Sequence, residues 1–185
     1  MYSKNYIFFS VFWLLFGVAT TLTVCRSAFA DATQEYTVKA AIALNFARFT
    51  EWPESALRKE ASVINLCVLG DNVAQEAFLQ MDEKKVGNRT LHVLYLSRPR
   101  NLEQCQMLYV SGLDKNTTIQ LLAEIKNQHI LTIGEQDYFV DHDGMINLDM
   151  QEGKVEIQVN LEATKQAGLT ISARVLKIAT IVKSK

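Results

Sequence analysis

Short apolar runs that end at a glycine or an acidic residue are spaced along the sequence. The clearest covers residues 63–69 and stops at Gly70. A run this short and this rich in valine, isoleucine and leucine is typical of a strand buried on both faces, as in the middle of a mostly parallel sheet. Residues 106–111 and 130–133 repeat the pattern, and residues 91–96 predict a further strand. The sequence therefore predicts a sheet organised around residues 63–69.

Apolar residues at three- and four-residue spacing predict a helix over residues 34–50. Trp52 and Pro53 follow it, and the residue before a proline avoids the helical conformation. Asn45 is a polar member of the apolar stripe, so we expect it to bond to neighbouring backbone. The stripe that we expect to face the sheet consists of Val38, Ala41, Ile42, Asn45, Phe46 and Phe49.

Four further helices are predicted after this one. One covers residues 73–81, and the next is capped by Asn116 or Thr117 and runs to about residue 126. Asn160 is predicted to cap a short helix that ends before Gly168. The final helix is predicted from about residue 172 to residue 182.

The C-terminal part also contains a period-two pattern. Residues 145–150 and 155–159 alternate apolar and polar positions, and residues 151–154 between them have the composition of a turn. This arrangement predicts an antiparallel hairpin. The fold class predicted from the whole pattern is α/β: a single domain with a central mixed sheet, largely parallel with a C-terminal antiparallel hairpin, flanked by helices.

Residues 1–30 have the pattern of a secretory signal peptide. An apolar block follows Lys4, and an Ala-Phe-Ala cleavage pattern ends at Ala30. We therefore expect cleavage after Ala30, export to the periplasm, and a mature domain of residues 31–185. One alternative is a retained membrane anchor, because the block is almost long enough to span a bilayer. A lipoprotein site at Cys25 is the other alternative, although valine precedes this cysteine where a small residue is required.

Charge and cysteine content narrow the class of protein. The whole chain has a formal net charge of −1, and residues 1–30 hold Lys4 and Arg26 but no acid, so residues 31–185 have −3. A mildly acidic domain has no electrostatic reason to bind nucleic acid. The mature domain keeps Cys67 and Cys105, and an oxidising compartment favours one disulfide between them. Two separate buried thiols are the alternative.

The sequence contains no recognisable catalytic or cofactor motif. Its three histidines are not part of an H-E-x-x-H motif, and there is no C-x-x-C, G-x-S-x-G, Walker or G-x-G-x-x-G sequence. Residues 141–144 combine aspartate and histidine as metal ligands do, but a turn is the simpler interpretation. We expect no catalytic residue, no metal and no cofactor.

Polar residues at the ends of three predicted strands are the best candidates for a ligand crevice. Asp71, Ser111 and Glu135 each follow a predicted strand closely. If those strands are parallel, their carboxyl ends open at one edge, where open α/β sheets bind ligands. Ordinary turn chemistry also explains these residues.

Several short segments of the mature chain together point to one known family. They are Tyr36–Ala41, Asn45–Phe46, Phe49–Pro53, Leu66–Gly70, Val86–Arg89, Leu131–Ile133, Gly144–Ile146 and Ala167–Ala173. In this order they cover essentially the whole mature chain, and their succession resembles the YfiR-like family of periplasmic regulators.

The resemblance implies a repressor and not an enzyme. Its partner would be the periplasmic domain of a membrane-bound diguanylate cyclase, and release linked to an OmpA-like outer-membrane lipoprotein would raise cyclic-di-GMP and favour biofilm formation. A homodimer is also expected. Cys67 and Cys105 match the cysteines of the family's disulfide. The chain has Asp143-Gly144 where Gly-Gly is common, and it has no second cysteine pair in the mature domain.

A repressor needs an apolar surface that is buried in its complex. We expect this surface at the edge of the C-terminal hairpin or on the final helix, with Leu176, Ile178 and Val182 as contacts. The alternative function is a periplasmic small-molecule sensor that uses the strand-end crevice. An uncharacterised hydrolase would need a nucleophile next to a base, and no such pairing is visible in the sequence.

Overall fold

The computed structural model describes residues 31–57 and 62–183. The chain divides into two compact units, Met1–Glu35 and Tyr36–Lys185. Of the first unit, residues 31–35 are described and are helical. The predicted signal peptide, its cleavage site and the two alternatives for residues 1–30 lie outside the described residues. No helix within the described ranges has the length and apolar composition to span a bilayer.

Helices and strands follow each other closely along the chain. The helices are α1 (residues 31–49), α2 (Asn72–Leu79), α3 (Lys115–Ile125), α4 (Leu161–Gln166) and α5 (Ala173–Leu176). The strands are β1 (Thr50–Glu51), β2 (Val63–Leu69), β3 (Lys85–Val86), β4 (Arg89–Tyr95), β5 (Met107–Val110), β6 (Leu131–Gly134), β7 (Ile146–Gln151), β8 (Lys154–Asn160), β9 (Thr170–Ile171) and β10 (Thr180–Val182).

Within the described residues, eight strands form one mixed sheet in the order β10-β8-β7-β6-β5-β2-β4-β3. The five strands β4, β2, β5, β6 and β7 run parallel to one another. Strands β7 and β8 form the predicted antiparallel hairpin, and β3 pairs antiparallel with β4. Strands β1 and β9 make a separate antiparallel pair. The predicted α/β class, with a largely parallel sheet and a C-terminal hairpin, is confirmed.

Strand β2 is central, as the apolar run predicted, because its two faces enter two different cores. Leu66 and Val68 join the larger core, which includes α1, α2 and α4, while Cys67 and Leu69 join the smaller core under α3. Successive strand residues point to opposite faces. An all-apolar strand is therefore what a sheet covered on both sides requires.

The stripe predicted for α1 is wrong in part. Val38, Ala41 and Asn45 are exposed, so Asn45 does not lie on the buried face. The buried face consists of Lys39, Ala40, Ala43, Leu44, Phe46 and Ala47. This face packs in the larger core, and Ile42 and Phe49 of the predicted stripe are partly buried against that core.

Helix caps are partly as predicted. Asn160 caps α4, since its Oδ1 accepts the Ala163 N–H at 3.0 Å. Gly168 follows α4 with φ +70°, the left-handed conformation that ends many helices. Helix α3 begins earlier than predicted, because the Asp114 carboxylate accepts the Thr117 N–H at 3.0 Å. The cap is therefore Asp114 and not Asn116 or Thr117.

The predicted final helix to residue 182 is also wrong. Helix α5 ends at Leu176, and β10 follows as an edge strand parallel to β8. Thr180, Ile181 and Val182 are β-branched, which favours strands over helices. Their backbone groups pair with the open edge of β8, which the local sequence pattern does not reveal.

Candidate functional site

The structure brings the predicted strand-end residues to one edge of the sheet. Asp71 follows β2, Ser111 follows β5 and Glu135 follows β6. These three strands are neighbours and parallel, so their carboxyl ends lie side by side. We call these three residues, together with Tyr36, Lys39 and Tyr109, the strand-end cluster.

Helix α1 covers the crevice with a lysine. The Lys39 Nζ lies 2.8 Å from the Glu135 Oε2, and the two side chains are 4% and 10% exposed. The hydroxyl of Tyr109, a fully buried residue, donates to the same Oε2 at 2.8 Å. The Tyr36 hydroxyl donates to the Glu135 Oε1 at 3.3 Å. The Glu135 carboxylate thus accepts from one cation and two phenols.

Ser111 is packed beneath α1. Its hydroxyl oxygen would clash with a Cβ on Gly70, so only glycine fits at residue 70 without displacing Ser111. Ser111 is 2% exposed, and its hydroxyl has no hydrogen-bond partner among the described residues. Glycine at residue 70 is therefore required by its packing against Ser111, and not only by turn formation.

Asp71 differs from the other two predicted residues, because it is exposed and has a structural role. Its Oδ1 accepts the Ala74 N–H at 2.9 Å and so caps α2. An aspartate at this position satisfies an otherwise unpaired N–H of the first helical turn. Within the strand-end cluster, Asp71 acts on Tyr36 through its charge.

Burial and negative charge keep Tyr36 protonated. Burial is the main cause that raises the pKa of Tyr36 above its ordinary value, and the charges of Glu135 and then Asp71 raise it further. Each of these effects disfavours the phenolate. The Tyr36 hydroxyl therefore remains a hydrogen-bond donor to Glu135 over the whole physiological pH range.

This arrangement attaches α1 to the sheet and closes the crevice. The Lys39 ammonium already binds the Glu135 carboxylate, which has donors on both oxygens. Among the described residues, no three His, Cys, Asp or Glu side chains are placed to hold a metal ion. In the turn at residues 141–144, Asp143 pairs with Lys126 at 2.8 Å.

Sequence reasoning missed Lys39, Tyr36 and Tyr109. A signal was present for Lys39, since it lies four residues before Ala43 and eight before Ala47 on one helical face. A lone charge aligned with small apolar residues indicates a buried ion pair. Nothing in the sequence indicated that its partner would be Glu135, which lies 96 residues away.

Cys67 and Cys105 form the predicted disulfide. Their Cα atoms are 5.7 Å apart, and the bond joins β2 to the segment before β5. The two residues are 0% and 2% exposed, within the smaller core under α3. The alternative of two separate thiols is not what the structure shows.

The three residues predicted for the partner surface lie near the C-terminal edge of the sheet. Ile178, between α5 and β10, is 70% exposed, whereas Leu176 and Val182 are partly buried. Ile181 of β10 is also exposed, at 48%. One exposed isoleucine thus lies in the edge strand β10 and the other just before it, although not on the helix that the sequence predicted.

A second cleft lies at the opposite, amino-terminal end of the parallel strands. Its volume is about 600 Å³. Residues on its walls include Asn65, Gln106, Gln128 and His129. The His129 Nδ1 lies 2.7 Å from the Ala167 carbonyl oxygen, which only accepts, so Nδ1 carries the proton and Nε2 is the acceptor of the neutral ring.

A model of the YfiR/HmsC-like family matches residues 36–180. This chain belongs to that family. The matched region contains the strand-end cluster, both disulfide cysteines and most of the sheet. No curated protein matches the sequence.

Solved structures of other proteins are similar to part of this chain. One is described as the ABC domain in complex with L-Trp from Streptococcus pneumonia, with 10% identity, a TM-score of 0.47, and coverage of 70% of this chain and 58% of that one. Another is a conserved domain protein from Vibrio cholerae O1 biovar El Tor, with 14% identity, a TM-score of 0.43, and coverage of 70% and 57%. This YfiR/HmsC-like chain therefore spans little more than half the length of those chains.

Proposed function

We propose that this protein is a periplasmic regulator that binds and represses the periplasmic domain of an inner-membrane diguanylate cyclase. It would thereby control cyclic-di-GMP signalling and biofilm formation, as a binding protein and not as an enzyme. The observation that carries the proposal is the family match over residues 36–180. The buried Cys67–Cys105 disulfide supports it, because disulfides persist in oxidising compartments such as the periplasm.

Repression requires that the regulator binds the inactive state of the cyclase more tightly than the active one. We place this contact at the C-terminal edge, where Ile178 and Ile181 are exposed. An edge strand with unpaired backbone groups and neighbouring apolar side chains is suited to pairing with a partner strand. An OmpA-like lipoprotein would compete for the regulator and release the cyclase.

A pull-down of the protein from solubilised membranes of its own host tests this function. We expect mass spectrometry to find a membrane protein with a diguanylate cyclase domain. Ile178→Glu should abolish its recovery, because a charge would be buried in the contact. Leu79→Glu is the matched control, since Leu79 is 52% exposed on α2. Recovery of no cyclase, in oxidising and in reducing buffer, would contradict the proposal.

Export is part of the same proposal. Residues 1–30 would be removed after Ala30, so the protein isolated from the periplasm should begin at Asp31. N-terminal sequencing checks this. If residues 1–30 are still present, or if the protein is recovered only with the membrane fraction, the result would support the alternative of a retained membrane anchor.

Small-molecule sensing is the second candidate function. The strand-end crevice does not favour this function, because the Lys39 ammonium already binds the Glu135 carboxylate there. The cleft at the amino-terminal ends of the strands favours it, since about 600 Å³ accommodates a small ligand. A small molecule that stays with the protein through purification, and is lost after Gln106→Leu, would support this second function.

A further inference from the structure

One outer edge of the main sheet is only half occupied. Strand β10 lies beside β8, but its 3 residues pair only with Gln158, Val159 and Asn160. The first half of β8, residues 154–157, pairs with β7 on its inner side. Within the described chain, no strand pairs with the outer side of this first half. We call residues 154–157 the open half of β8.

The hairpin turn shows which backbone groups point outward. Glu152 and Gly153 have φ values of 49° and 76°, and a two-residue hairpin loop of type I′ requires positive φ at both positions. Lys154, which follows such a loop, exchanges hydrogen bonds with β7, and bonded and non-bonded pairs then alternate along the ladder. Val155 and Ile157 therefore turn their N–H groups away from β7, toward the open side.

The side chains of the open half alternate between two environments. Ile157 lies in the larger core and Val155 packs against that core, whereas Lys154 and Glu156 are exposed. A strand added at this edge would continue both faces of the sheet, because paired residues of neighbouring strands lie on the same face. Its side chains next to Val155 and Ile157 would be apolar, and the side chains between them would be polar.

Strand β10 shows that the outer side of β8 accepts an apolar extended segment. Ile181 pairs in register with Val159, which is part of the larger core. Ile178 lies just before β10, beside the unoccupied part of this edge, and is 70% exposed. The open half of β8, Ile178 and Thr180 line a groove of about 630 Å³, which we call the β8 groove.

We propose that the β8 groove binds an extended segment of the partner, which pairs with the open half of β8 and adds a strand to the main sheet in line with β10. The apolar side chains of the segment cover Ile178 and lie beside Val155 and Ile157. Its backbone accepts the N–H groups that the edge leaves unpaired. This inference rests on the proposed repressor function, and it identifies the part of the cyclase that binds as an extended amphipathic strand of its periplasmic domain.

Charges beside the groove select among segments of this kind. Backbone pairing by itself supplies affinity but little specificity, since every strand offers the same groups. Lys154 and Glu156 are exposed on the outer face of the sheet and carry opposite charges. Opposite charges on paired strands stabilise the pairing and like charges oppose it. The partner segment should therefore carry an acidic residue beside Lys154 and a basic residue beside Glu156.

Hydrogen exchange of single amides tests the pairing, with the protein alone and bound to the solubilised cyclase that the pull-down recovers. The amides of Val155 and Ile157 should exchange about tenfold more slowly in the complex, because each then donates to the partner strand. The amides of Lys154 and Glu156 are internal controls, since they already donate to β7. If Val155 and Ile157 become protected at high protein concentration without cyclase, a second copy fills the groove and the proposal is overturned.

Val155→Pro tests the same hydrogen bond by removing its donor. Proline is tolerated in an edge strand where the missing N–H faces outward, and we expect recovery of the cyclase to fall about tenfold. Val155→Ala is the matched control, since it keeps the N–H, and most of the recovery should remain. Circular dichroism shows whether both variants fold, and if Val155→Pro does not fold, the exchange of the parent protein decides.

The outcomes separate this inference from the function on which it rests. If the cyclase is recovered but the exchange of Val155 and Ile157 does not change on binding, the strand pairing is wrong and the repressor function stands. An equal loss of recovery in Val155→Pro and Val155→Ala would also overturn the strand pairing, because the side chain and not the backbone would then make the contact. Recovery of no cyclase would contradict both proposals.

Discussion

Lys39 is the residue on which the position of α1 depends. A lysine that is 3% exposed loses its hydration, and this cost is offset only by charged or hydrogen-bonding partners. The Glu135 carboxylate is such a partner, with its Oε2 at 2.8 Å from the Lys39 Nζ, and the hydroxyls of Tyr109 and Tyr36 donate hydrogen bonds to this carboxylate. The strand-end cluster is thus built on a buried ion pair whose members depend on each other.

Lys39→Met removes the cation and leaves the Glu135 carboxylate buried. We expect the free energy of unfolding to fall by about 3 kcal/mol, because an uncompensated buried charge is strongly destabilising. Urea denaturation followed by circular dichroism measures the change. In the double variant Lys39→Met with Glu135→Gln, most of the loss should be recovered, since no charge remains and the tyrosines can still donate to the amide oxygen. A double variant less stable than the single one would contradict this account.

Tyr36 should make stability depend on alkaline pH. Its pKa is raised above the ordinary 10.0 by burial, with the charges of Glu135 and Asp71 adding to the effect. Well below this ordinary value the phenol is protonated in the folded and the unfolded protein, so the contribution is fully present there. As the pH rises above this ordinary value, the unfolded state loses its proton first and the free energy of unfolding falls.

Tyr36→Phe removes this titration. We expect the variant to lose less stability than the parent between neutral pH and pH values above the ordinary tyrosine pKa, measured by urea denaturation at each pH. The variant should be somewhat less stable than the parent at neutral pH, since one hydrogen bond to Glu135 is lost. A parallel loss of stability in the two proteins would show that Tyr36 does not titrate in this way.

At the scale of elements, α1 shows that the spacing of apolar residues does not by itself identify the buried face of a helix. Val38 and Ile42 have more apolar surface than Ala40 and Ala43, so a periodicity argument turns them inward. In the folded chain Ala40 and Ala43 are buried and Lys39 reaches Glu135, while Val38 is exposed and Ile42 is only partly buried.

The C-terminal element shows a different limit. Apolar spacing near residues 175–182 fits a helix, yet only Ala173–Leu176 is helical. Val159 and Asn160 of β8 offer an edge with which Ile181 and Val182 pair in register. A strand depends on such a distant partner, whereas a helix forms its hydrogen bonds locally. The pattern of one segment therefore cannot decide between them.

At the scale of the whole molecule, the disulfide constrains the unfolded chain. Cys67 and Cys105 are 38 residues apart, and closing a loop of this size contributes about 4 kcal/mol in the chain-entropy model. A double variant, Cys67→Ala with Cys105→Ala, should lose about this much stability, as measured by urea denaturation. Because the bond is buried in the smaller core, we also expect reductant to act slowly on the native protein and quickly once it is unfolded.

The expected rates of reduction are checked by counting free thiols after incubation with reductant, with and without urea. Rapid reduction of the native protein would show that the bond opens without unfolding. An unchanged melting temperature once reduction is complete would show that the bond contributes nothing to stability. Either result would contradict a structural role for the disulfide.

Much of the fold was predictable from local patterns. The apolar run at residues 63–69, the hairpin around residues 151–154 and the cap at Asn160 all appear as predicted. The site was predictable only in part. Ser111 and Glu135 do meet at one edge, but Lys39 and Tyr36 come from an element far away in the chain and close that edge.

The sequence by itself determined the family, the class of fold and six of the eight strands of the described sheet, because periodicity, turn residues and caps act over a few neighbouring residues. Tertiary structure decided which face of α1 is buried, that β10 and not a longer helix follows α5, and that a lysine fills the crevice. Each of these depends on partners tens of residues away. Close packing and the pairing of buried charges select among the local alternatives that the sequence leaves open.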